Sequence, residues 1–187
     1  SIIELLDLLK DDRDLYVRRS VSNNLNDISK DNPEMLIQLL DKWKMNATKE
    51  RLWVIRHALR TLFKKGNKNA LALLGYGKPD IDDVQLSLLT NIVPTKGTLE
   101  FSTKFLSKKR QKLMIDYRIH YMKANGKQAA KTFKLSIQNA RPDEVILLKG
   151  KQSFKPMTTR KHYAGKHFIE IMINGSLFEK KEFQYIK

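Results

Sequence analysis

The chain has 187 residues, enough for one well-formed hydrophobic core or two small ones, and its 36 Lys and Arg outnumber its 20 Asp and Glu, giving a formal charge of +16. Such an excess favours a polyanionic partner, either nucleic acid or an acidic membrane surface. The absence of cysteine excludes disulfides and thiolate metal sites, and no apolar run is long enough for a membrane span. We therefore expect a cytoplasmic, nucleic-acid-binding protein with no membrane partner.

Residues 1–78 show the apolar periodicity of α-helices. Asp12 can cap the second helix, the pair Asn32-Pro33 is typical of the start of the third, and Gly66 should end the fourth. The segments that we expect to be helical are 2–10, 13–30, 33–43, 49–65 and 69–74. Because the chain starts inside the first helix without a methionine, we interpret it as part of a longer protein.

An internal repeat is visible in this region at a shift of 37 residues, which aligns Tyr16 with Trp53 and Arg19 with Arg56. Two-helix repeats of this length are typical of HEAT-like α-solenoids. We therefore predict that 1–78 is the C-terminal part of a HEAT-like helical-repeat domain, with further repeats upstream.

Beyond a short linker the period of the hydrophobic pattern changes to two, as expected for β-strands. Asn125-Gly126 and Asn174-Gly175 are typical hairpin turns. Seven strands are predicted, at 84–88, 99–105, 113–121, 133–137, 145–148, 169–173 and in a last segment through Tyr185. This number of short strands favours an immunoglobulin-like β-sandwich over 79–187. The predicted fold class is thus a HEAT-like α-solenoid followed by an immunoglobulin-like β-sandwich.

Two of the predicted helices carry polar faces that packing does not require. The fourth helix has a basic stripe with a period of three or four residues, formed by Lys49, Trp53, Arg56, Arg60 and Lys64. The second helix has a polar face formed by Tyr16, Ser20, Asn23 and Asp27, with Arg19 and Lys30 beside it. A basic ridge that contains one large aromatic residue suits contact with a phosphate backbone. We predict that the two helices form a cradle for nucleic acid.

The β-region has two further basic clusters. The first contains Lys108, Lys109, Arg110 and Lys112, and the second contains Arg160, Lys161 and Lys166 together with His162 and His167. Both are expected near strand ends, on loops that can reach DNA. A solvated loop that binds no ligand remains an open alternative for each cluster.

The sequence gives no support for a cofactor. The four histidines have no metal-ligand spacing and no cysteine beside them, and no Gly-rich phosphate loop precedes a helix. We expect neither a metal ion nor a nucleotide or other cofactor.

Four segments resemble a known family. The helical region contains VRRSVSNNLNDISKD at 17–31 and WVIRHALR at 53–60. These resemble the HEAT-like-repeat alkylpurine DNA glycosylases. The β-region contains PMTTR at 156–160 and YAGKH at 163–167, which are similar to the AlkC branch of that family. AlkC-type proteins carry several more repeats before the point where this chain begins, and those repeats contribute carboxylates to the active site.

The resemblance implies hydrolysis of the N-glycosidic bond of cationic N-methylated purines, chiefly 3-methyladenine, in double-stranded DNA and without deep base flipping. It implies that Asp27 is the catalytic carboxylate and that Trp53 stacks on the lesion or its deoxyribose. From spacing alone Asp27 is better explained as a solvated acid paired with Lys30 or Arg19, and Trp53 can be a packing residue at the repeat interface. The residues of the helical region that we expect to contact DNA are Tyr16, Arg19, Asn23, Lys49, Arg56, Arg60 and Lys64.

The leading hypothesis is therefore a monomeric bacterial enzyme of base excision repair, of which this piece alone is inactive. The alternative is a non-catalytic, structure-selective DNA-binding module with the same architecture. A third interpretation is a protein-interaction solenoid with an adhesion-type β-domain. Only a specific set of phosphate contacts would give DNA binding with a defined salt dependence, which separates the first two from the third.

Overall fold

The computed structural model describes residues 1–156 and 161–187. It divides into two compact units, a helical unit of Ser1–Gly75 and a β-unit of Tyr76–Lys187. No helix in the described part of the chain is both long and apolar enough to cross a membrane.

Six helices form the helical unit: α1 (Ile2–Leu9), α2 (Leu15–Asp31), α3 (Pro33–Lys44), α4 (Lys49–Ala58), α5 (Arg60–Lys65) and α6 (Lys68–Leu73). Side chains cap most of the N-termini, as when Thr48 accepts a hydrogen bond from the Arg51 amide at the start of α4. The cap of α2 is Asp14 rather than Asp12, whose carboxylate instead accepts from the Asp14 amide. Gly66 ends α5 in the left-handed conformation, as predicted.

The predicted HEAT-like α-solenoid is wrong. Three of the six helices have only six or eight residues, and strands hold more of the chain than helices do. The expected fourth helix breaks at Leu59, where Asn26 Oδ1 accepts a hydrogen bond from the Thr61 amide at 3.2 Å. Because the last helix is so short, no second full-length helix pair exists, and no regular solenoid is evident in the described residues.

The described residues of the β-unit form eight strands: β1 (Ile81–Leu88), β2 (Ile92–Pro94), β3 (Thr98–Ser107), β4 (Gln111–Met122), β5 (Gln128–Ala140), β6 (Glu144–Ser153), β7 (Gly165–Ile173) and β8 (Ser176–Ile186). They make a three-stranded sheet with the order β1-β3-β6 and a five-stranded sheet with the order β2-β8-β7-β4-β5. All seven predicted strands are confirmed. The strand that the sequence did not reveal is β2, whose three residues pair in parallel with β8.

The core of the β-unit consists of the inward-facing residues of both sheets. On β4 these are Leu113, Ile115, Tyr117, Ile119 and Tyr121, the alternating set that predicted this strand. Gly150 on β6 lies directly beneath the Phe101 ring, where a Cβ atom would collide with the ring carbons. The Phe101 ring in turn packs on Tyr117 with centroids 4.8 Å apart.

The strand pairing places the loops of the β-unit at two opposite ends of it. Ile81 pairs with Ser107, and Gln111 pairs with Ala140, so the loops at 108–110 and 141–143 lie at the end where the chain enters the unit. We call this the proximal end. The loop at 123–127 and the described residues 154–156 follow the opposite termini of β4 and β6, and they form the distal end together with 161–164, which precede β7.

Candidate nucleic-acid interface

Helices α2 and α4–α5 lie side by side and run in the same direction. Arg60 Nη2 donates to Asn23 Oδ1 at 3.1 Å, and the Thr61 amide donates to Asn26 at 3.2 Å. Arg51 forms a two-point ion pair with Asp11, which precedes α2. The partners in these contacts are separated by 35 to 40 residues, and a near-constant separation requires parallel helices. Residues that the internal repeat aligns at a shift of 37 thus lie next to each other on the two helices.

The same register brings the two polar faces predicted from the sequence to one surface. Asn23 on α2 lies beside Arg60 on α5. One helical turn closer to both N-termini, Arg19 is therefore level with Arg56, and one further turn places Tyr16 level with Trp53. The Tyr16 side chain is 76% exposed, which is unusual for an aromatic ring. We call this surface the cradle. Its exposed residues are Tyr16, Arg19, Asn23, Asp27, Lys49, Arg56 and Lys64, and its half-buried ones are Trp53, His57 and Arg60.

The Arg60 guanidinium is fixed in place within the cradle. In addition to its bond with Asn23, it donates through Nη1 to the backbone carbonyl of His57 at 2.7 Å. A guanidinium has five N–H donors, so these two bonds orient the group and leave others for an anion. Because its conformational freedom is already reduced, Arg60 can bind a phosphate at a smaller entropic cost than a free arginine.

His57 is a member of the cradle that the sequence analysis overlooked. Its ring stacks on Trp53 with centroids 5.0 Å apart and an angle of 7° between the planes. Burial, followed by the positive charges of Arg60 and Arg19, lowers the pKa of His57 below its usual value. The imidazole is therefore neutral at pH 7 and covers one face of the indole. The spacing of four residues between Trp53 and His57 on one helix was the available signal.

Asp27 lies one turn beyond Asn23 on the same face of α2. Its side chain is 69% exposed, and its carboxylate accepts a hydrogen bond from Lys30 Nζ at 2.7 Å. That hydrogen bond and the charge of Lys30, with a smaller effect from Arg60, lower the pKa of Asp27. The carboxylate is therefore ionised at neutral pH and open to solvent. The alternative prediction for Asp27, a solvated acid paired with Lys30, therefore agrees with a contact that is present in the structure. The ion pair engages one carboxylate oxygen and leaves the second accessible.

The two basic clusters of the β-unit lie at opposite ends of it. Lys108, Lys109 and Arg110 are at the proximal end, where Lys108 pairs with Asp82 at 3.4 Å. Strand β4 has 12 residues, so the two ends are separated by about 40 Å at 3.4 Å per residue. A ligand that touches both clusters must be at least that long.

The distal cluster is less uniform than its sequence suggests. Lys161 is exposed and lies over the Tyr163 ring at 5.6 Å, whereas Arg160 lies outside the described residues. Lys166 is in β7 rather than in a loop, and it pairs with Glu182 at 3.0 Å. The neighbouring His167 is fully buried, so it faces the core and not a ligand.

His167 has a structural role. Its Nε2 donates to the Tyr163 carbonyl at 2.9 Å, and its Nδ1 accepts from the Met122 amide at 3.4 Å. Burial lowers the pKa of His167, which keeps the ring in the neutral form that this pair of bonds requires. Among residues 1–156 and 161–187, no group of three or more His, Cys, Asp or Glu side chains could hold a metal ion.

Comparison with known proteins gives matches to both units. The family model described as "Uncharacterised protein YhaZ, C-terminal Ig-like domain" matches residues 82–187, which supports the immunoglobulin-like part of the predicted fold. The YhaZ protein of Bacillus subtilis (strain 168) is 42% identical over 186 residues, which are 98% of this chain and 51% of that protein. The chain thus spans about half the length of the curated relative that it matches.

Solved structures give a similar result. The Pseudomonas fluorescens alkylpurine DNA glycosylase AlkC, bound to DNA that contains an abasic site analogue, is 37% identical with a TM-score of 0.93. That match covers 98% of this chain and 52% of the glycosylase. A β-glucosidase from Listeria innocua matches 60% of this chain and 17% of its own, with 11% identity and a TM-score of 0.50. At that identity the likeness concerns the fold alone.

Proposed function

Because the chain belongs to the family of YhaZ, we propose that it is part of a DNA glycosylase that excises cationic N-methylated purines, chiefly 3-methyladenine. The main support is the likeness to the AlkC glycosylase, which extends along 98% of the chain and therefore includes the helical unit as well as the immunoglobulin-like domain. Since the chain spans about half of that protein, the proposal concerns the complete enzyme, and we expect this part alone to be inactive.

The reaction is hydrolysis of the N-glycosidic bond. The bond between C1′ of the deoxyribose and the purine nitrogen breaks, and its electron pair moves to the base, which loses its positive charge. The sugar passes through an oxocarbenium-like state, a water oxygen then bonds to C1′, and a proton is released. A methylated purine is already a good leaving group, so the protein has to stabilise the positive sugar and orient the water.

We assign the carboxylate role to Asp27. It is ionised, it is open to solvent, and its second oxygen is accessible because Lys30 engages only one. An ionised carboxylate near the sugar stabilises the developing positive charge and can accept the proton of the attacking water. The part of the complete enzyme that this chain does not cover would supply further carboxylates.

The other cradle residues would hold the DNA. Arg19, Arg56 and Arg60 offer planar forks that match phosphate oxygens, and Arg60 is already oriented by Asn23. Trp53 would stack on the lesion or its deoxyribose with the face that His57 does not cover. Because these residues form an open surface, we propose that the enzyme grips the backbone around the lesion and does not take the base into a deep pocket.

The observation that carries this proposal is the presence of an ionised carboxylate, an aromatic ring and an oriented arginine on one helical surface. The test is release of 3-methyladenine from methylated double-stranded DNA by the full-length parent protein. Asp27→Asn should abolish release while DNA affinity changes little. Asp41→Asn, which alters an exposed acid on α3, is the matched control and should leave release unchanged. Undiminished release by Asp27→Asn would remove Asp27 from the mechanism.

A second candidate function is non-catalytic, structure-selective DNA binding, and the Asp27–Lys30 ion pair favours it because the pair also explains Asp27 without catalysis. The same experiment separates the two. A binding module releases no base before or after the substitution, yet it binds duplexes that contain an abasic site more tightly than intact duplexes.

A further inference from the structure

The proximal end of the β-unit contains a cleft that includes Arg110 and Lys112 of the first basic cluster. Its volume is about 750 Å³, and it is lined by Arg110, Gln111, Lys112, Asn139, Ala140 and Arg141. Three of these residues are basic and two carry amides, and no Asp or Glu is among them. The composition of the lining selects for an anion.

The cationic groups come together because of the strand register. Gln111 and Ala140 form the last pair of the β4–β5 ladder, so Arg110 and Arg141 occupy the next position on either side. Both arginines line the cleft, so their positive charges converge on the same space. Neither guanidinium forms an ion pair with any residue that the structure describes. An anion in the cleft would therefore meet two guanidinium groups that lack a carboxylate partner among the described residues.

The walls of the cleft are fixed in advance. The Gln111 side chain donates to the Asp80 carbonyl at 2.8 Å and to Ser107 Oγ at 2.8 Å, and it accepts from the Asp80 amide at 3.0 Å. Ser107 Oγ donates to the Lys109 carbonyl at 2.9 Å, which closes the loop onto itself. These bonds hold the backbone on which Arg110 stands.

The other wall is fixed in a similar way. The Arg141 amide donates to Glu144 Oε2 at 2.7 Å, so the nearby carboxylate is engaged by backbone and does not line the cleft. Lys112 pairs across the ladder with Asn139, and both residues line the cleft, where Asn139 adds a side-chain amide and the Lys112 ammonium lies over the Tyr76 ring at 4.8 Å. A planar guanidinium on each side and these donors below match the tetrahedral oxygens of a phosphate group.

We propose that this cleft is a phosphate-binding site that holds one backbone phosphate of DNA. The choice of DNA as the source of the phosphate rests on the proposed function, whereas the phosphate chemistry rests on the cleft alone. About 40 Å separate it from Lys161 and Lys166, so it is a contact distinct from the distal cluster. Sequence reasoning selected Arg110 but not Arg141, because the two meet only through the pairing of β4 with β5.

The first experiment uses inorganic phosphate as the probe and the full chain as the protein. Amide resonances of Arg110, Asn139 and Arg141 should shift in a saturable way as phosphate is added, and chloride at equal ionic strength should not reproduce the shifts. The Arg110→Gln/Arg141→Gln double variant should lose the response. An absent or non-saturable response in the wild-type chain, or an unchanged one in the double variant, would overturn the site.

The second experiment measures the salt dependence of binding to a short DNA duplex. Each lost phosphate contact lowers the slope of log affinity against log salt by about one, and the cleft holds one phosphate, so the double variant should lose about one. The control Lys104→Gln/Lys149→Gln removes two exposed charges from the middle of the three-stranded sheet and should change the slope by less than half as much. Equal changes in both variants would overturn DNA as the source of the phosphate.

The two proposals fail separately. If the full-length protein releases no base but the cleft variants alter phosphate binding and the salt slope, the glycosylase proposal fails and the cleft stands. If base release depends on Asp27 while the cleft variants behave as wild type, the cleft proposal fails alone. Unfolding in urea should be the same for both double variants, since all four side chains are exposed.

Discussion

Asn23 on α2 holds the guanidinium of Arg60 on α5, 37 residues away, through a hydrogen bond of 3.1 Å from Nη2 to Oδ1. The contact joins the polar face of one helix to the basic stripe of another. It gives the cradle an arginine with a defined orientation, because the His57 carbonyl holds the other terminal nitrogen. Asn23 is therefore a positioning residue. Its replacement should reduce the affinity for DNA more than it reduces the stability of the fold.

We expect Asn23→Ala to weaken DNA binding severalfold while it lowers the free energy of unfolding by only about 1 kcal/mol, the usual contribution of one partly exposed hydrogen bond. Fluorescence anisotropy with a labelled duplex and urea unfolding measure the two effects. Asn24→Ala is the control, because among the described residues that neighbouring side chain bonds to the Ser20 carbonyl of its own helix and not to Arg60. Equal loss of affinity in both variants would show that Asn23 does not act through Arg60.

His57 should titrate below its usual pKa of 6.5, since burial and the charges of Arg60 and Arg19 disfavour the imidazolium. Arg60→Gln removes one of these charges, so we expect the pKa of His57 to rise in that variant. NMR titration of the imidazole Cε1–H signal measures the change. Arg56→Gln is the control, because it removes one charge from the same helix that is not among the causes of the lowered pKa of His57. A pKa of 6.5 or more in the wild type would contradict the expected environment.

The same shift predicts a pH dependence of stability. When a folded-state pKa lies below the unfolded value, the unfolded chain binds more protons, so stability is complete above about pH 6.5 and declines as the pH falls through the folded pKa. His167 contributes with the same sign, because burial also lowers its pKa. Urea unfolding at a series of pH values should show a smaller decline in His57→Gln than in the wild type. An identical decline would mean that His57 is not responsible for it.

The β-strands could be predicted from the sequence because alternation is a local signal. Leu113, Ile115, Tyr117 and Ile119 face one core, and a shift of the strand by one residue would turn them to the opposite face. The missing strand was β2, since three residues are too few for a period of two to be visible. The pattern therefore predicts individual long strands, whereas short strands and sheet order depend on pairing with distant residues.

The helical region shows where such local signals mislead. The 37-residue repeat correctly indicated that α2 and α4–α5 correspond, but it did not reveal the break at Leu59. Just after the break, the Thr61 amide bonds to Asn26, a buried side chain 35 residues earlier in the chain. The faces of the candidate cradle were visible as i, i+3 and i+4 patterns, whereas the contact between Asn23 and Arg60 and the meeting of Arg110 with Arg141 were not. Both arise from long-range packing that no local window contains.

Gly150 should be intolerant of substitution. A Cβ atom at this position would overlap the Phe101 ring, which itself packs against Tyr117 in the core. We expect Gly150→Ala to lower the free energy of unfolding by about 1–3 kcal/mol, as overpacked cores do. Gly77→Ala is the control, because nothing lies within 4 Å of a Cβ there, and it should be neutral or slightly stabilising. Equal midpoints of urea unfolding for the two variants would contradict this packing.

The ion pair between Asp27 and Lys30 allows a test of the ionisation of Asp27, on which the proposed chemistry depends. Lys30 is the largest cause of the lowered pKa of Asp27, through its hydrogen bond and its charge. Lys30→Gln should therefore raise the pKa of Asp27 toward its usual value of 3.8, which the chemical shift of the carboxyl carbon measures during an acid titration. Lys42→Gln, an exposed lysine on α3 that is not among the causes of the shift, should leave the titration unchanged.

If Asp27 must be ionised for base release, the rate of the full-length parent should fall as the pH drops through the pKa of Asp27. Because Lys30→Gln raises that pKa, the fall should occur at higher pH in this variant, while the rate near pH 7 stays within a few fold of the wild type. Release of 3-methyladenine over a pH series tests this. If the titration of Asp27 moves but the pH profile of release does not, then Asp27 is an ion-pair partner of Lys30 and another carboxylate stabilises the sugar.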